Sequence, residues 1–109
     1  GEAERLPACV NGSRINWTPF VAPDESCLIF SSDRMNSEDG GDLYVVYNDG
    51  AGQWSEAVAL DTRVNTGQQE RFPVVTPDGR ALVFARNTQE TFSDLFWIDA
   101  SFLRVGHQQ

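Results

Sequence analysis

The sequence predicts an all-β protein made of repeated four-stranded antiparallel units, and three observations carry that expectation. The first is a tandem repeat. Glu2 to Phe30 falls on Glu56 to Phe84, with identities at Glu2/Glu56, Ala3/Ala57, Leu6/Leu60, Val10/Val64, Asn11/Asn65, Pro19/Pro73, Val21/Val75, Pro23/Pro77, Asp24/Asp78, Leu28/Leu82 and Phe30/Phe84. After a short deletion the correspondence resumes, pairing Asp42-Leu43-Tyr44 with Asp94-Leu95-Phe96. The second is a Pro-Asp turn at the same place in each repeat. The third is the pair of apolar runs that follow the turns, Cys27-Leu28-Ile29-Phe30 and Ala81-Leu82-Val83-Phe84. Such unbroken runs do not alternate, so both of their faces are expected to be buried.

A period of roughly 40 to 55 residues is that of propeller repeats, and blades sandwiched between neighbours bury both faces of their strands. The units therefore read as β-propeller blades. In the first repeat, about residues 6–59, the expected strands are Thr18 to Ala22, Cys27 to Ser32, Leu43 to Asn48 and Trp54 to Leu60. The second repeat, about 60–104, offers Phe72 to Thr76, Ala81 to Arg86 and Asp94 to Asp99, with no fourth strand before the tail 105–109. In Pro77-Asp78-Gly79, proline pre-sets φ, aspartate bonds its own backbone two residues on, and glycine accepts positive φ. Pro23-Asp24-Glu25 lacks the glycine, so the two turns are expected to differ in detail. Glu2 to Val10 matches Glu56 to Val64, the outer strand, which the second repeat lacks. A lent outer strand would complete it, from another copy or from blades of a longer protein. The whole chain, 1–109, is read as one segment of such a ring.

Composition limits the partners. The 109 residues hold 16 acidic groups against eight basic ones, giving a formal net charge of −8, and every basic residue is arginine. That balance repels phosphate backbones and anionic lipid, so neither nucleic acid nor membrane is expected as a partner. The N-terminus as given lacks the basic-then-apolar form of a signal peptide. Cys9 and Cys27 stand at unequal repeat positions and form no metal-ligand pattern, leaving two reduced thiols or, in an oxidising compartment, a bridge.

The segments Pro23-Asp24-Glu25-Ser26, Phe30-Ser31-Ser32-Asp33-Arg34, Gly41-Asp42-Leu43-Tyr44-Val45, Trp54-Ser55-Glu56 and Val64-Asn65-Thr66 resemble the WD-repeat-like propeller repeats of TolB-type proteins. Asp94-Leu95-Phe96-Trp97-Ile98-Asp99-Ala100-Ser101 is similar to the closing strand of such chains. The resemblance covers about residues 6 to 104. It implies an exported protein, periplasmic or extracellular, that acts as a non-catalytic platform for protein or peptide. The chain departs from the family in having only about two blades, and in carrying Phe84-Ala85-Arg86-Asn87 where the Ser-Ser-Asp-Arg pattern would stand.

Loops joining outer to inner strands, around Asn11 to Asn16 and Asn65 to Arg71, are expected on the same rim as Asp33 to Gly41 and Asn87 to Ser93. That rim would gather Arg34, Glu38, Asp39, Arg63, Glu70 and Arg71 as a polar binding surface for protein, peptide or glycan, with Trp17 beside it to stack on a sugar or peptide or else to pack a blade. Ser37-Glu38-Asp39-Gly40-Gly41-Asp42 clusters oxygens but fails the spacing of a calcium loop. Asn48-Asp49-Gly50-Ala51-Gly52-Gln53-Trp54 resembles, one residue short, the Asp-box turn of sialidase-like propellers; it also reads as a hairpin turn with Trp54 over a blade edge. His107, the only histidine, lies in the tail, so no catalytic arrangement, metal or cofactor is expected. A sugar-active propeller with an acidic carboxylate pair, and a purely structural assembly unit, are the alternative readings. Three copies would give six blades and four would give eight, so a homotrimer or homotetramer is expected where self-association completes the ring.

Overall fold

The computed structural model describes residues 3–11, 16–32, 41–66, 68–87 and 94–103. They form two antiparallel sheets. One turn of helix, α1 (Ala8–Asn11), precedes strands β1 (Asn16–Val21), β2 (Cys27–Ser32), β3 (Asp42–Tyr47) and β4 (Val58–Ala59), which pair in chain order. Strands β5 (Gln69–Val75), β6 (Ala81–Asn87) and β7 (Asp94–Asp99) make the second sheet, again in chain order. The all-β expectation holds.

The two sheets repeat one another residue by residue. Both β1 and β5 break register at the same place, between Trp17 and Phe20 and between Arg71 and Val74. The residues before the prolines, Thr18 and Phe72, take positive φ of 49° and 55°. A proline has no N–H to give the ladder, so the strand bulges around it in both sheets. The first turns also coincide. Glu25 adopts φ 63° where Gly79 adopts 75°. Glu25 N donates to Ala22 O as Gly79 N donates to Thr76 O, both at 2.8 Å. Asp24 and Asp78 each accept from the backbone N–H two residues on, at 3.0 Å. The expected difference between the turns is therefore corrected: hydrogen bonding from a shared aspartate holds Glu25 in a conformation suited to glycine.

β1, β3 and β6 differ from the expected strands by one or two residues at their ends, and three changes are larger. β5 starts at Gln69, so Gln69 to Arg71 are strand and not loop. The expected strand Trp54 to Leu60 shrinks to Val58–Ala59, joined upstream by a single bridge from Trp54 to Asn48. The N-terminal match to it is no strand: residues 3–7 pair with nothing in a ladder, and Ala8–Asn11 turns as a helix. Its partner by repeat turns likewise, since Val64 N and Asn65 N donate to Asp61 O as Val10 N and Asn11 N donate to Pro7 O. The shared motif is one helical turn, Pro7 to Asn11 and Asp61 to Asn65.

The sheets pack face to face. From the first come Cys27, Ile29, Leu43 and Val45; from the second Val75, Leu82 and Phe84; Leu60 and Val64 of the connection fill the seam. The opposite face of the first sheet (Leu28, Phe30, Tyr44, Val46) is covered by Val10 and Trp54. So β2 is buried along its whole length, as its unbroken apolar run predicts. The same run in β6 is not, because Val83 faces the open side of the second sheet, where Leu95 and Trp97 are 74% and 73% exposed. Among the described residues, no helix is long and apolar enough to cross a membrane.

Asn65 ties the seam. Its Oδ1 accepts from Leu43 N at 2.8 Å, and its Nδ2 donates to Leu43 O and Leu60 O, both at 3.0 Å. Asn65→Ala leaves the Leu43 amide without that partner and is expected to cost about 2 kcal/mol, read as a shifted urea midpoint. Replacing Glu25 by Gly removes the side chain from a left-handed position and should stabilise by about 1 kcal/mol, whereas Gly79→Ala should destabilise by a similar amount. Thermal melts of the two variants would move in opposite directions.

Candidate functional site

The expected rim resolves into fewer residues than the sequence suggests. Arg34, Glu38 and Asp39 lie outside the described residues, as does most of the calcium-like cluster. Trp17 is in β1, paired with Ser31. Arg63, Glu70 and Arg71 are described, and only Arg63 is fully at the surface. Its guanidinium binds Asp61 at 2.6 Å and lies 5.7 Å from the Phe102 ring. Arg63 holds the Asp61 carboxyl below its usual range through that bond. Because the pair is solvent-exposed, it adds little stability. Arg71 is half-buried in β5.

Glu70 is sealed from solvent. The expectation that it projects from a loop is corrected by β5, which carries it into the seam. Its backbone N–H donates to Gly41 O at 2.8 Å, and its carbonyl accepts from Ser31 Oγ at 2.8 Å, so the residue is stitched to the first sheet. Its Oε2 accepts from Thr66 Oγ1 at 2.8 Å and from Arg86 Nε at 3.1 Å. Arg86 also donates to Val64 O at 3.1 Å and rests on the Phe96 ring, 4.4 Å from its centroid. Oε1 is buried without a hydrogen-bond partner. Burial pushes the Glu70 carboxyl above its ordinary 4.5, outweighing the Thr66 and Arg86 bonds that pull it down. An acid closed off in this way cannot meet an external substrate, and it acts as a joint.

Sequence reasoning missed Arg86, Thr66 and Ser31. A signal was present. Glu70 and Arg86 occupy the repeat positions of Asn16 and Ser32, which pair across β1 and β2. Imposing the first sheet's register on the second would have set the acid opposite the base.

The opposite end of the sheets carries two open hollows. One, of about 450 Å³, is lined by Asp24, Glu25, Ser26, Asn48, Gly50 and Gly52. The other, of about 220 Å³, involves Tyr47, Asp49, Gln53 and Trp54. Asp49 serves its own loop: its Oδ1 accepts from Ala51 N at 2.7 Å and Gln53 N at 3.2 Å, with Gly50 and Gly52 at φ 88° and 87°. The Asp-box-like segment is thus a self-bonded hairpin turn, with half-buried Trp54 packed beside Leu28 and Val46. Cys27 is a buried free thiol whose pKa burial raises to about 11, which makes it a poor nucleophile. Among the described residues, no three His, Cys, Asp or Glu side chains come together as a metal site. His107 lies outside the described residues.

No protein-family model matches the chain, and neither a curated protein nor a solved structure matches it.

The raised Glu70 pKa fixes a sign. Between its ordinary value and its folded value, the folded protein keeps a proton that the unfolded chain releases, so this group's contribution to stability falls as pH rises through that window. Urea titrations of wild type and Glu70→Gln from pH 4 upward should show wild type losing ground to the variant as pH climbs. A difference that stays level would contradict this.

Proposed function

We propose that the chain is a pair of consecutive β-propeller blades of the TolB-like kind, serving as a non-catalytic binding module in the periplasm or outside the cell. The observation that supports it best is the residue-level repetition of one blade in the next. Bulge, turn, seam asparagine and stacked aromatic pair (Phe30 with Tyr44, Phe84 with Phe96) all recur, and the two sheets stack face on face. Such stacking about a common axis is how propeller blades are arranged. Function on this scaffold belongs to the loops at the blade ends. The end bearing Arg63 and Asp61 offers mixed charge for a protein, peptide or glycan.

The buried state of Glu70, the self-bonded Asp49 loop and the inert Cys27 thiol favour binding over catalysis. The reading uses no cofactor.

Arrays of peptides and glycans probed with wild type and with an Arg34→Glu/Arg63→Glu double variant test it. Selective capture by wild type, weakened about tenfold or more in the variant, is the expected result. Retention of the same ligands by both proteins would remove the rim from the account, and hydrolysis of a glycan would replace binding with sugar-directed chemistry.

A further inference from the structure

Among the described residues the second sheet ends on β7, an edge whose partner can be read from the first sheet. In the first sheet, the outer edge of β3 is closed by the connection to β5. Ala59 and Val58 pair with Tyr44 and Val45, and Leu60 N donates to Leu43 O at 3.0 Å. Asn65 then brackets the Leu43 backbone from both sides, and Leu60 and Val64 drop into the seam, Leu60 only 6% exposed. By the repeat, β7 is the counterpart of β3, with Leu95 in the place of Leu43. Yet among the described residues β7 is the last strand of its sheet, and Leu95 and Trp97 stand open.

The counterpart of the closing segment is also in the chain, at its other end. Leu6, Val10 and Asn11 correspond to Leu60, Val64 and Asn65. From Leu6 to Asn11 this segment already carries the hydrogen bonds of the closing one. Val10 N and Asn11 N donate to Pro7 O at 3.0 and 2.9 Å, as Val64 N and Asn65 N do to Asp61 O at 2.9 and 3.0 Å. Asn11 Nδ2 donates to Leu6 O at 3.0 Å, as Asn65 Nδ2 does to Leu60 O. What differs is the seam: Leu6 is 41% exposed where Leu60 is buried. Within one copy this segment covers the Leu28-Phe30-Tyr44-Val46 face through Val10, and that face is the repeat counterpart of the one the second sheet presents to the first.

We propose that residues 3–11 of a second copy of this chain close the β7 edge of the first, head to tail. The neighbour's Arg5 and Glu4 pair with Phe96 and Trp97, its Leu6 N–H donates to Leu95 O, and its Asn11 brackets the Leu95 backbone as Asn65 brackets Leu43. Its Leu6 and Val10 enter the new seam, and the first sheet that carries them covers Val83, Leu95 and Trp97. The contact uses different surfaces on the two copies, so it closes into a ring when the rotation permits. With two blades per copy, three or four copies give six or eight blades, within the range of closed propellers. The inference rests on the blade reading above and adds the occupant of the open edge.

The experiment is light scattering at low and high concentration on three proteins: wild type, a head variant (Leu6→Asp/Asn11→Ala) and a tail variant (Leu95→Asp/Trp97→Asp). All the substituted residues except half-buried Asn11 are exposed at that open end or on that open face, so each variant should keep its β-type circular dichroism and a cooperative melt. Wild type is expected as a closed assembly of three or four copies of the 12.1 kDa chain. Each variant alone should be monomeric, its association weakened about 30-fold or more. Mixed together, the two variants should form a dimer of one head variant and one tail variant, because one intact head and one intact tail remain. A folded wild-type monomer at high concentration overturns the proposal. So does an assembly indifferent to the head substitutions, or a tail variant that fails to pair with the head variant. In each of those cases a cooperative two-sheet fold would leave the blade reading standing, whereas loss of cooperative β structure in wild type would sink both.

Discussion

Val75, Leu82 and Phe84 of the second sheet close on Cys27, Ile29 and Val45 of the first, and this apolar layer sets the position of everything else. Each large side chain buried there contributes about 1.5–3 kcal/mol, far more than any exposed ion pair in the molecule. The layer has a register because polar groups at its margin admit only one alignment. Asn65 grips the Leu43 backbone, and Glu70 joins β5 to Gly41 and Ser31 through its main chain. Apolar contact supplies the energy, and these bonds select which of many sliding arrangements is kept.

The same device explains a buried carboxyl. Glu70 sits where the first repeat has Asn16, and Arg86 where it has Ser32. The ion pair replaces a neutral pair at an equivalent site, and burial of the acid is compensated by Thr66 and Arg86, with Oε1 left over. Arg86 in turn covers Phe96 and binds the Val64 carbonyl, linking the open sheet to the connection that closes the other one. A charge at this joint gives geometric selection more than net stability.

Among the described residues the two sheets thus differ in how far they are covered. The first sheet has both faces covered and its outer edge paired; in the second, among those residues, β7 has no strand beyond it and Leu95 and Trp97 are exposed. In the first repeat the segment that leads into the second closes the outer edge of β3, and the same stretch of the repeat stands again at residues 4–11.

Strand identity was legible in the sequence because apolar runs and Pro-Asp turns are local signals. Cys27 to Ser32 and Asp94 to Asp99 appear as read, and the repeat foretold two like sheets. Burial of the second repeat was not legible, since Ala81 to Phe84 reads the same whether or not a neighbour covers it. The rim residues fared according to how local their environment is. Arg63 is exposed beside its sequence neighbour Asp61, while Glu70 changed from loop to buried joint because β5 begins three residues earlier than its apolar pattern. Local pattern was enough for the six longer strands, the position of the turns and the repeat. Which faces are covered, the fastening by Asn65 and Glu70 and the exposure of Leu95 and Trp97 emerge from the fold alone, because burial and long-range hydrogen bonds depend on which sheet lies opposite, and no local pattern encodes that.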